Sequence, residues 1–150
     1  MMVTMKLKLA LTILFCASCS TQNLSQKSLF TDNQNAKKYT ARITYYSVGQ
    51  DKWGDKVACP KTPRAKEGIT VAAHPDFKFG TQVFIPKLKN KIGDGKFIIQ
   101  DRGSAVKSKK AANGKAYVFD VFVKTQKELW RHAYNKPMYM DVYILTTESK

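Results

Sequence analysis

Apolar positions in this chain come in short runs, separated by polar turns containing Gly, Pro and Lys. Residues 41–47 (Ala-Arg-Ile-Thr-Tyr-Tyr-Ser) are β-branched and aromatic, which predicts a strand. Residues 69–73 (Ile-Thr-Val-Ala-Ala) predict a second strand ending at His74-Pro75, and residues 82–85 a third after the Phe79-Gly80-Thr81 turn. Residues 89–96 have hairpin chemistry, with Gly93-Asp94-Gly95 at the tip. Two further apolar runs, 97–99 and 117–123, read as strands, and 138–146 as the last one. Only one segment has helical character. Thr125 to Glu128 matches a capping box, and Leu129, Trp130 and Ala133 then give a short helix one apolar face, with Pro137 beyond its end. Six strands, one short helix near the C-terminus and no βαβ rhythm predict an all-β fold, a small closed barrel.

The stretch 96–123 carries the chemistry. Asp101 ends its first apolar run and Asp120 lies inside the second. A carboxylate among apolar neighbours is costly when ionised unless it is paired or hydrogen-bonded, and desolvation raises its pKa. Two such groups brought together by neighbouring strands make an acid/base site. The alternative stands beside it: Asp101 closes an Asp-Arg-Gly turn through its own side chain, and Asp120 is a structural carboxylate held by backbone N–H groups.

The chain has 150 residues, the size of one domain. Its net charge of +15 is spread along the sequence and suits anionic surfaces. Residues 1–18 read as a signal peptide, with Lys6 and Lys8 before a short apolar run from Leu9 to Phe15. Small residues Ala17 and Ser18 before Cys19 resemble a bacterial lipobox, so Cys19 is the expected lipidation site and the N-terminus the expected membrane anchor. An exported protein has no call for DNA or RNA as a partner. Removing residues 1–18 leaves a net charge of +13. Residues 19–39, rich in Ser, Gln, Asn, Thr and Lys, read as a flexible tether, and residues 40–150 as the folded domain. Cys59 is then the only remaining thiol, expected to be inert or exposed, with no disulfide framework. His74 and His132 lack ligand spacing, so no metal is expected.

Five segments occur in order: Ala-Arg-Ile-Thr-Tyr-Tyr (41–46), Val-Ala-Ala-His-Pro (71–75), Phe-Gly-Thr-Gln-Val (79–83), Gln-Asp-Arg-Gly-Ser-Ala-Val (100–106) and Val-Phe-Asp-Val-Phe (118–122). Together they resemble the 3D (three-aspartate) domain, the catalytic part of membrane-bound lytic transglycosylase A, and the related rare lipoprotein A barrel. The resemblance spans about residues 40–146. It implies a double-psi β-barrel acting on peptidoglycan glycan strands, with no cofactor and as a monomer. Asp101 matches the family's catalytic acid and Asp120 the aspartate of the segment that follows. The first of the three family aspartate positions is His74 here, a departure from the pattern. His74 and Ser104 are the implied supporting residues. Tyr45, Tyr46, Trp53 and Arg102 are the implied substrate contacts, with one of the two tyrosines expected to be buried. Asp76 has a different strand phase from His74 and is not promoted. The basic insertion 104–116, with Lys107, Lys109 and Lys110, reads equally as a solvated loop or a glycan contact.

The resemblance also implies a one-carboxylate mechanism. The acid protonates the oxygen between N-acetylmuramic acid and N-acetylglucosamine. As a base it then deprotonates the sugar's 6-hydroxyl, closing a 1,6-anhydro ring; a raised pKa suits both steps. Two other readings share the fold: a non-catalytic, expansin-like glycan binder, and a structural envelope lipoprotein.

Overall fold

The computed structural model describes residues 36–50, 52–107, 111–134 and 138–145. The expected signal peptide, Cys19, most of the tether, Lys109 and Lys110 lie outside the described residues. Six strands are present: β1 (Ala36–Ser47), β2 (Thr70–Ala72), β3 (Gln82–Phe84), β4 (Lys96–Asp101), β5 (Val118–Val123) and β6 (Met138–Leu145). They close into a ring in the order β1-β5-β2-β4-β3-β6. The β1–β5 and β2–β4 contacts are parallel, and the other four are antiparallel.

Alternation along each strand decides what the ring encloses. In β1, Ala41, Ile43, Tyr45 and Ser47 are buried, while Arg42, Thr44 and Tyr46 between them are half-exposed. Met140, Val142 and Ile144 do the same from β6, and Val83, Phe97 and Ile99 from β3 and β4. These residues pack with Phe119, Val121 and Val123 of β5 into one core. Burial of this apolar area drives closure, since a closed sheet leaves no edge unpaired.

Strand β5 differs from the rest because all six of its residues are buried. Its inward residues are the core ones just named. Outward-facing Val118 is covered by a second cluster with Ala72, Val106 and Ala111, against which Tyr46 and Ala116 also pack. The cover is the insertion between β4 and β5. It contains a one-turn helix, α1 (Ser104–Lys107), and a helical turn at Ala111–Gly114 whose residues Ala112, Asn113 and Gly114 have positive φ. The turn is pinned by paired backbone hydrogen bonds between Ala111 and Ala116. The insertion is therefore packed where Val106 and Ala111 are buried, and exposed at Lys107.

Two expectations are corrected. One helix was expected, and α1 is an additional one, besides α2 (Gln126–Ala133). A single apolar residue, Val106, anchors α1, so no helical periodicity marks it. Strand β1 also starts at Ala36, four residues inside the expected tether, because Ala36 to Ile43 pair with β6. This extension has neighbours on one side only until β5 joins at Arg42, which explains its polar composition. Helix α2 is capped as expected: the Glu128 N–H donates to the Thr125 hydroxyl.

The β3–β4 connection uses a 3₁₀ turn (Pro86–Leu88) and then Gly93 and Gly95, both at positive φ. A Cβ on Gly93 would lie 3.0 Å from the backbone of Gly68. Gly93→Ala therefore meets both strain and a backbone clash, with an expected cost of about 1–3 kcal/mol. Thermal denaturation should show a clear fall in Tm; an unchanged Tm would mean that this close approach is not rigid.

Candidate active site

The outward face of the ring carries a row of residues in register. Thr44 of β1 pairs with Asp120 of β5, Asp120 with Ala72 of β2, and Ala72 with Asp101 of β4. The two aspartates are thus brought to either side of one alanine. Their strands lie two spacings apart, roughly 9–10 Å at the backbone, and the Ala72 side chain is too small to separate them.

Strand phase alone would not place Asp101 there. Phe97 and Ile99 point into the core, so strict alternation would send residue 101 inward as well. The β2–β4 register shifts between Val71 and Ala72: Val71 pairs with Ile99 and Ala72 with Asp101, so Gln100 is an extra residue. A bulge of this kind re-aims the side chain that follows. Side chains and a loop hold the extra residue. The Thr70 hydroxyl donates to Gln100 Oε1 at 2.6 Å, Gln100 Nε2 donates to Thr62 Oγ1 at 3.2 Å, and the Cys59 N–H donates to the Gln100 carbonyl at 3.0 Å.

The two carboxyls have different surroundings. Asp101 is partly exposed, and its Oδ1 accepts the N–H groups of Ala58 (3.0 Å) and Arg102 (2.8 Å). Asp120 is 9% exposed, and the Thr44 hydroxyl donates to its Oδ1 at 2.7 Å. Burial pushes the Asp120 pKa up to about 6. The hydrogen bond from Thr44 opposes the rise, and the charge of Asp101 adds to it. The charge of Asp101 is thus felt at Asp120, which holds its proton up to about pH 6.

The remaining expected residues divide. Arg102 is used as a clamp: Nη1 donates to the carbonyls of Ala73 (3.1 Å) and Asp101 (2.9 Å), and Nη2 to that of Phe77. Its guanidinium also lies 4.1 Å over the Phe79 ring. Such bonding fixes the loop after β2 and leaves Arg102 little capacity for a ligand. His74 lies two residues beyond Ala72, and its Nδ1 is 3.1 Å from Asp76 Oδ1. The Tyr117 hydroxyl donates to Asp76 Oδ2 at 2.7 Å, and the His74 and Tyr117 rings lie 5.6 Å apart. Asp76, which strand phase alone gave no reason to promote, therefore joins His74 to Tyr117. Tyr45 points into the core, where burial raises its pKa to about 12, while Tyr46 faces outward against Phe122. Trp53 is exposed in the 52–66 loop, with Lys52 over its ring, and Ser104 is exposed at the start of α1. Cys59 is buried beside the bulge rather than exposed. Among the described residues, no three His, Cys, Asp or Glu side chains converge to hold a metal ion.

Thr44 is the site residue that motif reading missed. Its signal is simple: it is an outward position in a strand where Ile43 and Tyr45 face the core.

Neither a protein-family model nor a curated protein matches the chain.

The raised Asp120 pKa has a consequence for stability. Its folded value lies above that of an unfolded aspartate, so protonation favours the folded state. Stability from this source is fully present below about pH 4, falls as the pH rises to about 6, and is flat above; the total is about 3 kcal/mol at most. Asp120→Asn removes the ionisation and keeps an acceptor for Thr44. Thermal denaturation across pH should show the variant gaining on wild type as pH rises through this window; parallel curves would refute the buried carboxyl.

Proposed function

We propose that this chain is a peptidoglycan lytic transglycosylase on a double-psi β-barrel, exported and held at the cell envelope, at the periplasmic face of the outer membrane, by lipid on Cys19. The observation that carries the reading is the pair Asp101 and Asp120 on one outward face, coupled, with one member still protonated near pH 6. Support for the barrel type comes from the two parallel contacts, each joining strands distant in sequence, within a closed ring. The five ordered segments support the substrate class.

Asp101, partly exposed, is the member that a glycan reaches, because Asp120 is nearly buried. Asp120 holds a proton up to about pH 6, and in this reading that proton passes to Asp101. Asp101 delivers it to the oxygen bridging N-acetylmuramic acid and N-acetylglucosamine. As a carboxylate, Asp101 then takes the proton from the C6 hydroxyl as that oxygen closes the 1,6-anhydro ring. Oδ1 is engaged by two N–H groups, which orients the carboxylate for work through Oδ2. Thr44 is a positioning residue, acting through Asp120.

The second reading, a glycan-binding barrel without cleavage, is favoured by one observation. Asp120 is nearly buried and Arg102 is committed to backbone carbonyls, as in a structural network.

Incubation of purified protein with peptidoglycan, followed by mass spectrometry, separates the readings. Anhydro-muropeptides are expected from wild type and a loss of roughly 10²–10⁴-fold in rate from Asp101→Asn. Reducing-end products would make the protein a hydrolase, and intact binding without products would favour the second reading. The rate should fall as pH rises through about 6, where the pair loses its proton. A rate that climbs over that range would exclude Asp120 as the proton's holder.

A further inference from the structure

The apolar residues expected on one face of helix α2 divide: Leu129 is buried, while Trp130 and Ala133 are exposed. Among its eight residues, Leu129 is the one buried hydrophobic residue. The outward side carries Lys127, Trp130 and Arg131, followed by Tyr134, the residue that ends the helix. The spacing i, i+3, i+4, i+7 places them on one stripe. Trp130 is 65% exposed and Tyr134 is 77% exposed. Large aromatic side chains left this open on a stripe mark an interaction surface. Met138 and Tyr139, which open β6, are exposed as well.

The stripe is cationic on both flanks. The only acid in the helix, Glu128, is partly buried and occupied with the Thr125 cap. The 86–92 turn adds exposed Lys87, Lys89 and Lys91. Lys91 lies close enough to the helix that its charge acts on His132, whose pKa is lowered first by burial, then by Arg131, and also by Lys91. Lys and Arg donate hydrogen bonds but accept none, so the acceptors that sugar hydroxyls need are few on this surface, Asn90 being the exposed amide of the turn. It has the composition of a bilayer interface instead: amphipathic Trp and Tyr rings at the headgroup level, with basic side chains against anionic lipid.

We propose that the outward stripe of α2, Lys127, Trp130, Arg131 and Tyr134, together with the basic 86–92 turn, is a docking surface for anionic phospholipid headgroups. The proposal does not depend on the assignment of the carboxylate pair. It would hold the barrel against a bilayer in one orientation, whatever else attaches the chain to a membrane.

The full chain contains two tryptophans, so Trp53→Phe leaves Trp130 as the sole reporter. This variant would be mixed with vesicles of phosphatidylcholine alone, or of equal parts phosphatidylcholine and phosphatidylglycerol, some with brominated acyl chains. Trp130 emission should shift to the blue and be quenched on the anionic vesicles only. The reciprocal Trp130→Phe protein, which reports from Trp53, should show no such quenching. Adding Lys127→Glu and Arg131→Glu should lower the vesicle affinity reported by Trp130 by at least roughly tenfold, with an unchanged circular dichroism spectrum. Vesicle pelleting with Trp130 unquenched would overturn the proposal, since another segment would then be binding. Equal quenching on neutral vesicles would overturn the anionic recognition. A shift caused by soluble peptidoglycan fragments instead of vesicles would reassign the stripe to sugar.

Discussion

Asp120 interrupts a strand that is otherwise apolar on both faces. Its backbone neighbours, β1 and β2, fix it in register with Thr44 and Ala72, and its side chain, on the outward face, is nearly buried. A carboxyl in that position has one hydrogen-bond donor, the Thr44 hydroxyl. One bond does not offset the loss of water, so the proton is held up to about pH 6. The site chemistry follows from this local imbalance. A fully solvated Asp120 would ionise like any surface carboxylate, and a fully hydrogen-bonded one would be an inert anion.

Asp101 is recruited by a different constraint. The bulge at Gln100 turns a residue of core phase outward, and Ala72 leaves room between the two strands. Thr70, Thr62 and Cys59 all contribute bonds to Gln100, so the irregularity is held from several sides. Removing one residue from β4 would return Asp101 to the interior, where its charge would oppose folding. The bulge thus connects packing to chemistry more directly than any contact made by the aspartates themselves.

Much of the framework was legible in the sequence because strands with one solvated face write their phase into the chain. Residues 41–47 and 138–146 show it, and the capping box at Thr125 marks α2. Asp101 and Asp120 were legible as polar residues in apolar runs. Their relative placement was not, since a bulge leaves no trace in hydrophobic periodicity. The start of β1 was hidden because residues 36–41 lack a neighbour on the β5 side and tolerate lysines. The cover over β5 was hidden because Val106 and Ala111 are single apolar residues among polar ones. His74 read as a supporting residue, but its partner Asp76 is set by the turn after β2, and Tyr117 reaches that pair only through tertiary packing.

The charge of the whole molecule and the charge of the site obey different rules. Twenty-six Lys and Arg against eleven Asp and Glu create a positive field, which by itself would stabilise a carboxylate and lower its pKa. The Asp120 pKa moves the other way. Lysines on the exposed turns are hydrated, and salt screens them over about 8–10 Å. Burial of Asp120 and the charge of Asp101 act locally. The local terms therefore outweigh the field of many distant cations. The same screening leaves the basic surface effective only at contact, against a partner with dense negative charge of its own. A bilayer rich in anionic headgroups would meet that condition, so under the proposals above the surface lysines would act on docking, while Asp120 and Asp101 would set the chemistry.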